Sequence, residues 1–316
     1  MTRWLVRLIG VAIFLVLLAR LDISQLQQIL GRTDALGVTL AIALVIPFFA
    51  LKSWRWQILL HRAGIEISLG QSLWLYFVGL FAGYATPGQV GEAVKAVYLA
   101  RSGYAVGPAL ATIALDRILD MLLLVGLAVP GVLLVGETLG MDRSLTLVAL
   151  ALALVALMIG LWIITSPARL KPLARLLASL PLRTRKLSAI FETREGVRSL
   201  EFGAVARSWS LWLLTMAAYV VHYVRFYILL LALHVGAAPP ALAFVATLAL
   251  VSVVALIPVT VMGVGTRDGV LVLAAGGLGI SYEEAVGFSL LILITYLANL
   301  AIGFVCWISD RSVVRV

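Results

Sequence analysis

The sequence predicts an all-α polytopic membrane protein, one membrane domain over residues 1–316. Three observations lead there. Of 316 residues, 63% are apolar and 12% charged, against roughly 45–50% and about 25% in soluble domains, and the mean hydropathy is +1.10. The apolar residues run in long blocks, such as 121–135, 145–165 and 241–261, and about 20 such residues at helical rise match the hydrocarbon thickness. Barrel strands would instead alternate apolar and polar residues over about 10 positions, and no such alternation appears.

Taken in order, the first block, 4–20, begins with Arg3 and Arg7 like a signal peptide. With no small-x-small cleavage site before Arg20, it reads as a retained first helix. Blocks follow at 36–60, 69–86, 107–135, 144–165, 207–234, 240–261 and 283–309. Two shorter blocks, 89–101 and 264–277, come directly after Pro87 and after the Pro and Gly residues of 258–265. Each is too short to span alone, and no charged loop separates it from its predecessor. Irregular backbone at membrane depth is tolerated where protein or a water-filled cavity covers it. Segments 69–101 and 240–277 are therefore expected to be re-entrant helical hairpins, added to about six transmembrane helices. A kinked span with an interfacial tail is the alternative.

The net charge of +9 lies mostly between blocks, which fits topology signals and anionic lipid better than nucleic acid. With the N-terminus in the cytoplasm, Lys52, Arg55, Arg62, Lys95, Arg101, the 166–206 loop, Arg311 and Arg315 fall inside, and only Arg20, Arg32 and Arg143 outside. The expectation is a multi-pass protein of the bacterial cytoplasmic (inner) membrane with both termini cytoplasmic and 166–206 a basic cytoplasmic loop. The same assignment sets 1–143 against 144–316 as two repeats of opposite orientation, their hairpins opposed. Inverted repeats with broken helices near the midplane are an alternating-access architecture.

At the first tip, Thr86 to Lys95, Pro87, Gly88 and Gly91 break the helix. A helix restarting there aims free N–H groups into the membrane interior, a site for a lipid phosphate. Glu92 and Lys95, three apart, can pair; the plainer alternative is a Gly-rich helix contact with a tolerated ion pair. At the second tip, Gly263 and Gly265 precede Arg267 and Asp268 between two apolar blocks. An unpaired charge at the bilayer centre costs at least about 2.5–3.5 kcal/mol, so these two must face a cavity, a partner or a ligand. Arg267 is the first choice for phosphate, which guanidinium binds bidentately.

Asp116, Arg117 and Asp120 lie within 107–135, Asp116 and Asp120 four apart on one face and Arg117 three from Asp120. They are either a self-neutralised structural network or a proton or cation relay, since adjacent carboxylates compete to stay ionised. Arg225 is expected to face a cavity, and His222 to pack between helices. Trp54, Trp56 and Trp74 read as interface anchors, and the single Cys306 as packing. The sequence has no Gly-x-x-x-x-Gly-Lys loop, no His-Glu-x-x-His or paired cysteines, and no Gly-x-Ser-x-Gly elbow. Neither enzymatic activity nor a cofactor or metal is expected.

At these tips the sequence resembles the lysylphosphatidylglycerol synthase transmembrane-domain family, the flippase-like membrane part of the bacterial multiple peptide resistance factor. The carriers are Pro87-Gly88-Gln89-Val90-Gly91-Glu92, Asp116-Arg117-Ile118-Leu119-Asp120 and Gly263-Val264-Gly265-Thr266-Arg267-Asp268. The likeness runs roughly from the second helix to the end. It implies movement of modified phospholipids or isoprenoid-linked lipids between leaflets; the family has standalone forms and forms fused to a cytosolic aminoacyl-transferase domain. Gln89 stands where a basic residue is expected, and Asp116 and Asp268 where Glu is commoner. The combined expectation is a lipid flippase or translocase for a headgroup that is anionic or an isoprenoid phosphate. Gly88, Gly91, Glu92, Lys95, Arg225, Gly263, Gly265, Arg267 and Asp268 would form its binding site. Assembly as a homo-oligomer stays open. The alternatives are a membrane-embedded glycosyl or acyl transferase acting on lipid, for which Asp22, Asp34 and His61 are the only loop candidates, and a non-transporting accessory subunit.

Overall fold

The computed structural model describes residues 23–84, 86–138, 142, 144, 146–148, 151–152, 155, 158, 204–205, 207–255 and 263–309. Within them the protein is an all-α polytopic membrane protein. The expected helix at 4–20, most of block 144–165, the 166–206 loop, residues 256–262, and Arg311 and Arg315 lie outside the described residues.

Helix α1 (Ile23–Gly31) leads to α2 (Ala35–Ala43). Asp34, one of the loop acids considered above, caps α2: its carboxylate accepts the Leu36 and Gly37 N–H groups at 3.0 Å each. A break at Leu44 separates α2 from α3 (Val45–Arg62). Pro47 explains it, because proline has no N–H for the carbonyl of Ala43. Together α2 and α3 make one 28-residue apolar stretch. Next come α4 (Leu69–Tyr84), a 3₁₀ turn (Pro87–Ala93), α5 (Val94–Arg101) and α6 (Val106–Thr138). The second part of the chain gives α7 (Trp209–Leu231), α8 (Ala241–Ala255), α9 (Thr266–Leu273), α10 (Ala275–Leu278) and α11 (Tyr282–Ile308). The segments long and apolar enough to cross a membrane, among the described residues, are Ala35–Arg62, Val106–Leu134, Trp209–Leu231 and Tyr282–Ile308.

Glycines set the close approaches. Helix α4, the 3₁₀ turn and α5 fold back on one another. A Cβ at Gly79 would meet Lys95 Cγ and Cδ at 2.8 Å, and one at Gly83 would meet Glu92 Cγ at 3.0 Å. At Gly91 it would lie 2.0 Å from the Ala82 carbonyl oxygen. These small residues form the bed that the hairpin's second arm lies in. Helices α8 and α9 pack against each other in the same manner, with Gly263 and Gly265 at φ +73° and +86°, where a side chain would be strained.

The last helix of each part of the chain packs on the first hairpin arm of the other: α6 on α8, and α11 on α4. Both contacts bring backbones together. A Cβ on Gly131 would sit 2.3 Å from the Ala246 carbonyl oxygen, and one on Gly303 2.7 Å from that of Phe77. Helix α7 packs along α2 and α3 and also touches α6, α8 and α11, so its side chains reach the centre.

Trp56, expected as an interface anchor, is instead fully buried. Its indole N–H donates to Thr112 Oγ1 at 3.1 Å, because it shares the inward face of α3 with Lys52. Trp54, on the opposite face, is 50% exposed, and the partly buried Trp74 donates to the Cys306 carbonyl at 3.1 Å.

Candidate functional site

Charged side chains converge on the interior in two groups. The first joins α3, α4, α6 and α7. Lys52 and Arg55, counted above with the cytoplasmic loop charge, are 7% and 0% exposed. Lys52 Nζ lies 2.5 Å from Asp120 Oδ2. Arg55 Nε donates to Asp116 Oδ1 at 2.8 Å, and its Nη2 lies 2.6 Å from the same oxygen. Arg55 Nη1 donates to Thr215 Oγ1 at 2.9 Å and stands 2.9 Å from Asp120 Oδ1, an ion-pair contact without hydrogen-bond alignment. The Tyr76 hydroxyl donates to Asp116 Oδ2 at 2.6 Å. Asp116 and Asp120, one helical turn apart, thus share a face as expected, and cations from α3 occupy it.

At the first tip Glu92 and Lys95 do pair, at 3.4 Å. Glu92's closer partner is Arg117, which bonds both its carboxylate oxygens and donates to Gln89 Oε1 at 2.6 Å. The local spacing that set Arg117 beside Asp120 is overridden, because Asp120 faces Lys52 and Arg55. The Lys95 ammonium, counted above as loop charge, is buried 4.2 Å from the Tyr76 ring centroid and 4.7 Å from that of Trp56. The restart is a 3₁₀ turn containing Gly88, with Gln89 at φ +56°. The Gly91 N–H is not free: it donates to Thr86 Oγ1 at 2.7 Å.

The second group lies at the start of α9. Asp268 itself occupies the anion position there: Oδ2 accepts the Gly265 N–H at 2.8 Å, while Oδ1 accepts Arg267 Nε at 2.7 Å and the Ser289 hydroxyl. The helix end expected to be open to a headgroup therefore holds the chain's own carboxylate. Arg267 is paired, yet its buried Nη1 has no hydrogen-bond partner among the described residues. Its guanidinium lies 5.2 Å from the Tyr296 ring. Tyr296, on α11, meets Tyr84, the last residue of α4, at 5.5 Å between centroids.

Arg225 completes this group from α7. It is 1% exposed, and its Nε and Nη1 have no partner among the described residues. Its guanidinium lies 4.5 Å from the Phe226 ring, within electrostatic reach of Tyr84 and Tyr296. Arg117 also reaches Tyr84 electrostatically. The Tyr84–Tyr296 pair thus has Arg267 of α9 beside it and lies within electrostatic reach of Arg225 from α7 and Arg117 from α6. His222 packs among Phe48, Tyr219, Tyr223 and Phe226, as expected of a packing residue.

The sequence reading missed Lys52, Arg55, Tyr76, Tyr84, Tyr296 and Ser289. A signal existed for Lys52 and Arg55: both lie inside an apolar block, where ionisable residues face the bundle interior. The tyrosines and the serine carried none, being common in membrane helices.

A model of the family described as the lysylphosphatidylglycerol synthase TM region matches residues 4–303. The UPF0104 membrane protein PH1989 of Pyrococcus horikoshii is 32% identical over 126 residues, 39% of this chain and 38% of that protein. The glycosyltransferase AglD of Haloferax volcanii is 30% identical over 132 residues, 41% of this chain and 21% of that protein. The chain thus spans well under half the length of either relative.

Proposed function

The chain belongs to the lysylphosphatidylglycerol synthase TM-region family, and from that premise we propose that it is a lipid translocase. It carries a phospholipid or isoprenoid-linked lipid between the leaflets of a cytoplasmic membrane. One observation carries the reading: Arg225 and Arg267, both within electrostatic or ring contact of one tyrosine pair, have buried donor nitrogens with no partner among the described residues. A buried donor left unsatisfied costs about 1–3 kcal/mol. A headgroup phosphate would satisfy it with charge-assisted, bidentate bonds.

The hairpins 69–101 and 240–277 are read as re-entrant, meeting at Tyr84 and Arg267. Residues 1–143 and 144–316 are read as inverted repeats. The matched contacts of α6 on α8 and α11 on α4, each over a glycine, support that reading. Rocking one repeat against the other would open the site to each leaflet in turn. With Lys52, Arg55 and Lys95 buried, the 166–206 loop carries most of the remaining positive asymmetry, supporting cytoplasmic termini.

Asp116 and Asp120 serve as scaffold in this reading, since Arg55, Lys52 and Tyr76 already hold them. The same engagement of Glu92 and Asp268 leaves no buried carboxylate among the described residues free as a general base, which supports transport over catalysis. The competing reading, a lipid-modifying transferase, draws on the partial likeness to AglD. Native mass spectrometry of the purified chain tests the site. Wild type is expected to retain a phosphate-bearing lipid, while Arg225→Gln and Arg267→Gln fold and lose it. Equal retention by both variants would refute the site, and lipid turnover with an added nucleotide-sugar donor would favour the transferase.

A further inference from the structure

The balance of buried charge points to the class of headgroup. The lattice between α3 and α6 is neutral by itself: Lys52 and Arg55 face Asp116 and Asp120. So is the second tip, where Arg267 faces Asp268. The first tip is not neutral, because Glu92 stands between two cations, Lys95 and Arg117. Among the described residues Arg225 has no carboxylate partner, and its guanidinium lies against aromatic rings. The described interior thus carries two surplus positive charges, one on Arg225 and one shared by Lys95 and Arg117 about Glu92, with Arg225 and Arg117 within electrostatic reach of Tyr84.

Surplus charge in a low-dielectric interior is unfavourable until a partner of opposite sign arrives. A phosphate diester brings one negative charge. A zwitterionic headgroup brings its own cation and neutralises nothing. A phosphate monoester brings about 1.5 to 2 negative charges at neutral pH and three strong acceptor oxygens. Three buried guanidinium nitrogens have no hydrogen-bond partner among the described residues: Arg225 Nε and Nη1, and Arg267 Nη1.

We propose that the occupant of this site is a lipid phosphate monoester, the class that includes phosphatidic acid and isoprenoid monophosphates, in preference to diester and zwitterionic lipids. The proposal rests on the translocase reading and fixes its substrate class. It also accounts for Gln89: the first tip already holds one unbalanced cation, and a basic residue there would add a third surplus charge.

The test is competitive binding to purified protein, read by native mass spectrometry and melting temperature. The probes are short-chain phosphatidic acid, phosphatidylglycerol and phosphatidylcholine, with inorganic phosphate and glycerol 3-phosphate as soluble monoesters. Phosphatidic acid is expected to bind about tenfold more tightly than phosphatidylglycerol, the worth of one charge-assisted hydrogen bond, and phosphatidylcholine least. Arg225→Gln is expected to bring the first two to parity, while Arg225→Lys, which keeps the charge, preserves the order. The wild-type order decides the matter even if Arg225→Gln fails to fold. Phosphatidylglycerol or phosphatidylcholine binding as well as phosphatidic acid would overturn the monoester assignment and leave a translocase of other specificity. Inorganic phosphate matching phosphatidic acid would keep the dianion chemistry and overturn the lipid. Binding of none of the probes would overturn both.

Discussion

Replacing Arg55 by methionine removes the cation that ties α3 to α6 and α7. In its absence Asp116 keeps only the Tyr76 hydroxyl at 2.6 Å, and Asp120 keeps only Lys52 at 2.5 Å. Thr215 loses its contact with Nη1. Methionine refills much of the volume, so the cost is electrostatic: two carboxylates buried in a dry interior share one remaining cation. Breaking a buried pair by removing one partner costs about 3–5 kcal/mol. At about 2 °C per kcal/mol for a chain of this size, the detergent-solubilised protein should melt about 6–10 °C lower. The assay is thermal unfolding followed by size-exclusion fluorescence. The double variant Arg55→Met, Asp116→Asn should recover about half the loss, because it removes one of the two stranded charges. An Arg55→Met protein melting within about 1 °C of wild type would mean the lattice is wet, and the buried-pair reasoning would fail.

Gly91→Ala should displace the first tip, since the new Cβ would lie 2.0 Å from the Ala82 carbonyl oxygen; lipid movement should be lost while Gly126→Ala, which meets nothing within 4 Å, behaves as wild type. Asp120→Asn should cost about 3–5 kcal/mol of stability, lowering the melting temperature by about 6–10 °C, and leave the pH dependence of residual transport unchanged, whereas a shifted transport–pH profile would restore the proton-relay alternative. In a Cys306→Ala background, a cysteine at Arg185 should react only with reagents applied from the cytoplasmic side; labelling only from outside would invert the topology.

The elements were legible because hydropathy and breakers are local. Blocks 36–60, 107–135, 207–234 and 283–309 became Ala35–Arg62, Val106–Thr138, Trp209–Leu231 and Tyr282–Ile308. The 3₁₀ turn begins at Pro87 and α9 begins directly after Gly265 for the same reason. Pairing between helices was not legible. Asp116 and Asp120 disclosed each other by spacing, but Arg55 lies 61 residues before Asp116 and Lys52 lies 68 before Asp120. Helical spacing rules see only neighbours on one helix, so Arg117 was assigned to Asp120 and found on Glu92. Counting spans from a cytoplasmic N-terminus puts Lys52 and Arg55 with Arg62 on the inner side, whereas the fold buries both and leaves Arg62 at the helix end. Asp268 was expected to share a site with the ligand; the structure uses it to cap α9 and hold Arg267. Arg225, expected to face a cavity, is buried on α7 with its guanidinium over the Phe48 and Phe226 rings.

The proposed translocation carries lipid across the membrane past Arg225 and Arg267. Its most direct test is fluorescent-lipid translocation in proteoliposomes, with leaflet occupancy read by quenching from outside. Wild-type protein is expected to move labelled lipid well above protein-free vesicles. Arg225→Gln and Arg267→Ala, reconstituted at equal density and of near wild-type melting temperature, are expected to fall to the protein-free rate. Wild-type rates in both variants, or no movement by the wild type with any anionic lipid tried, would contradict the account.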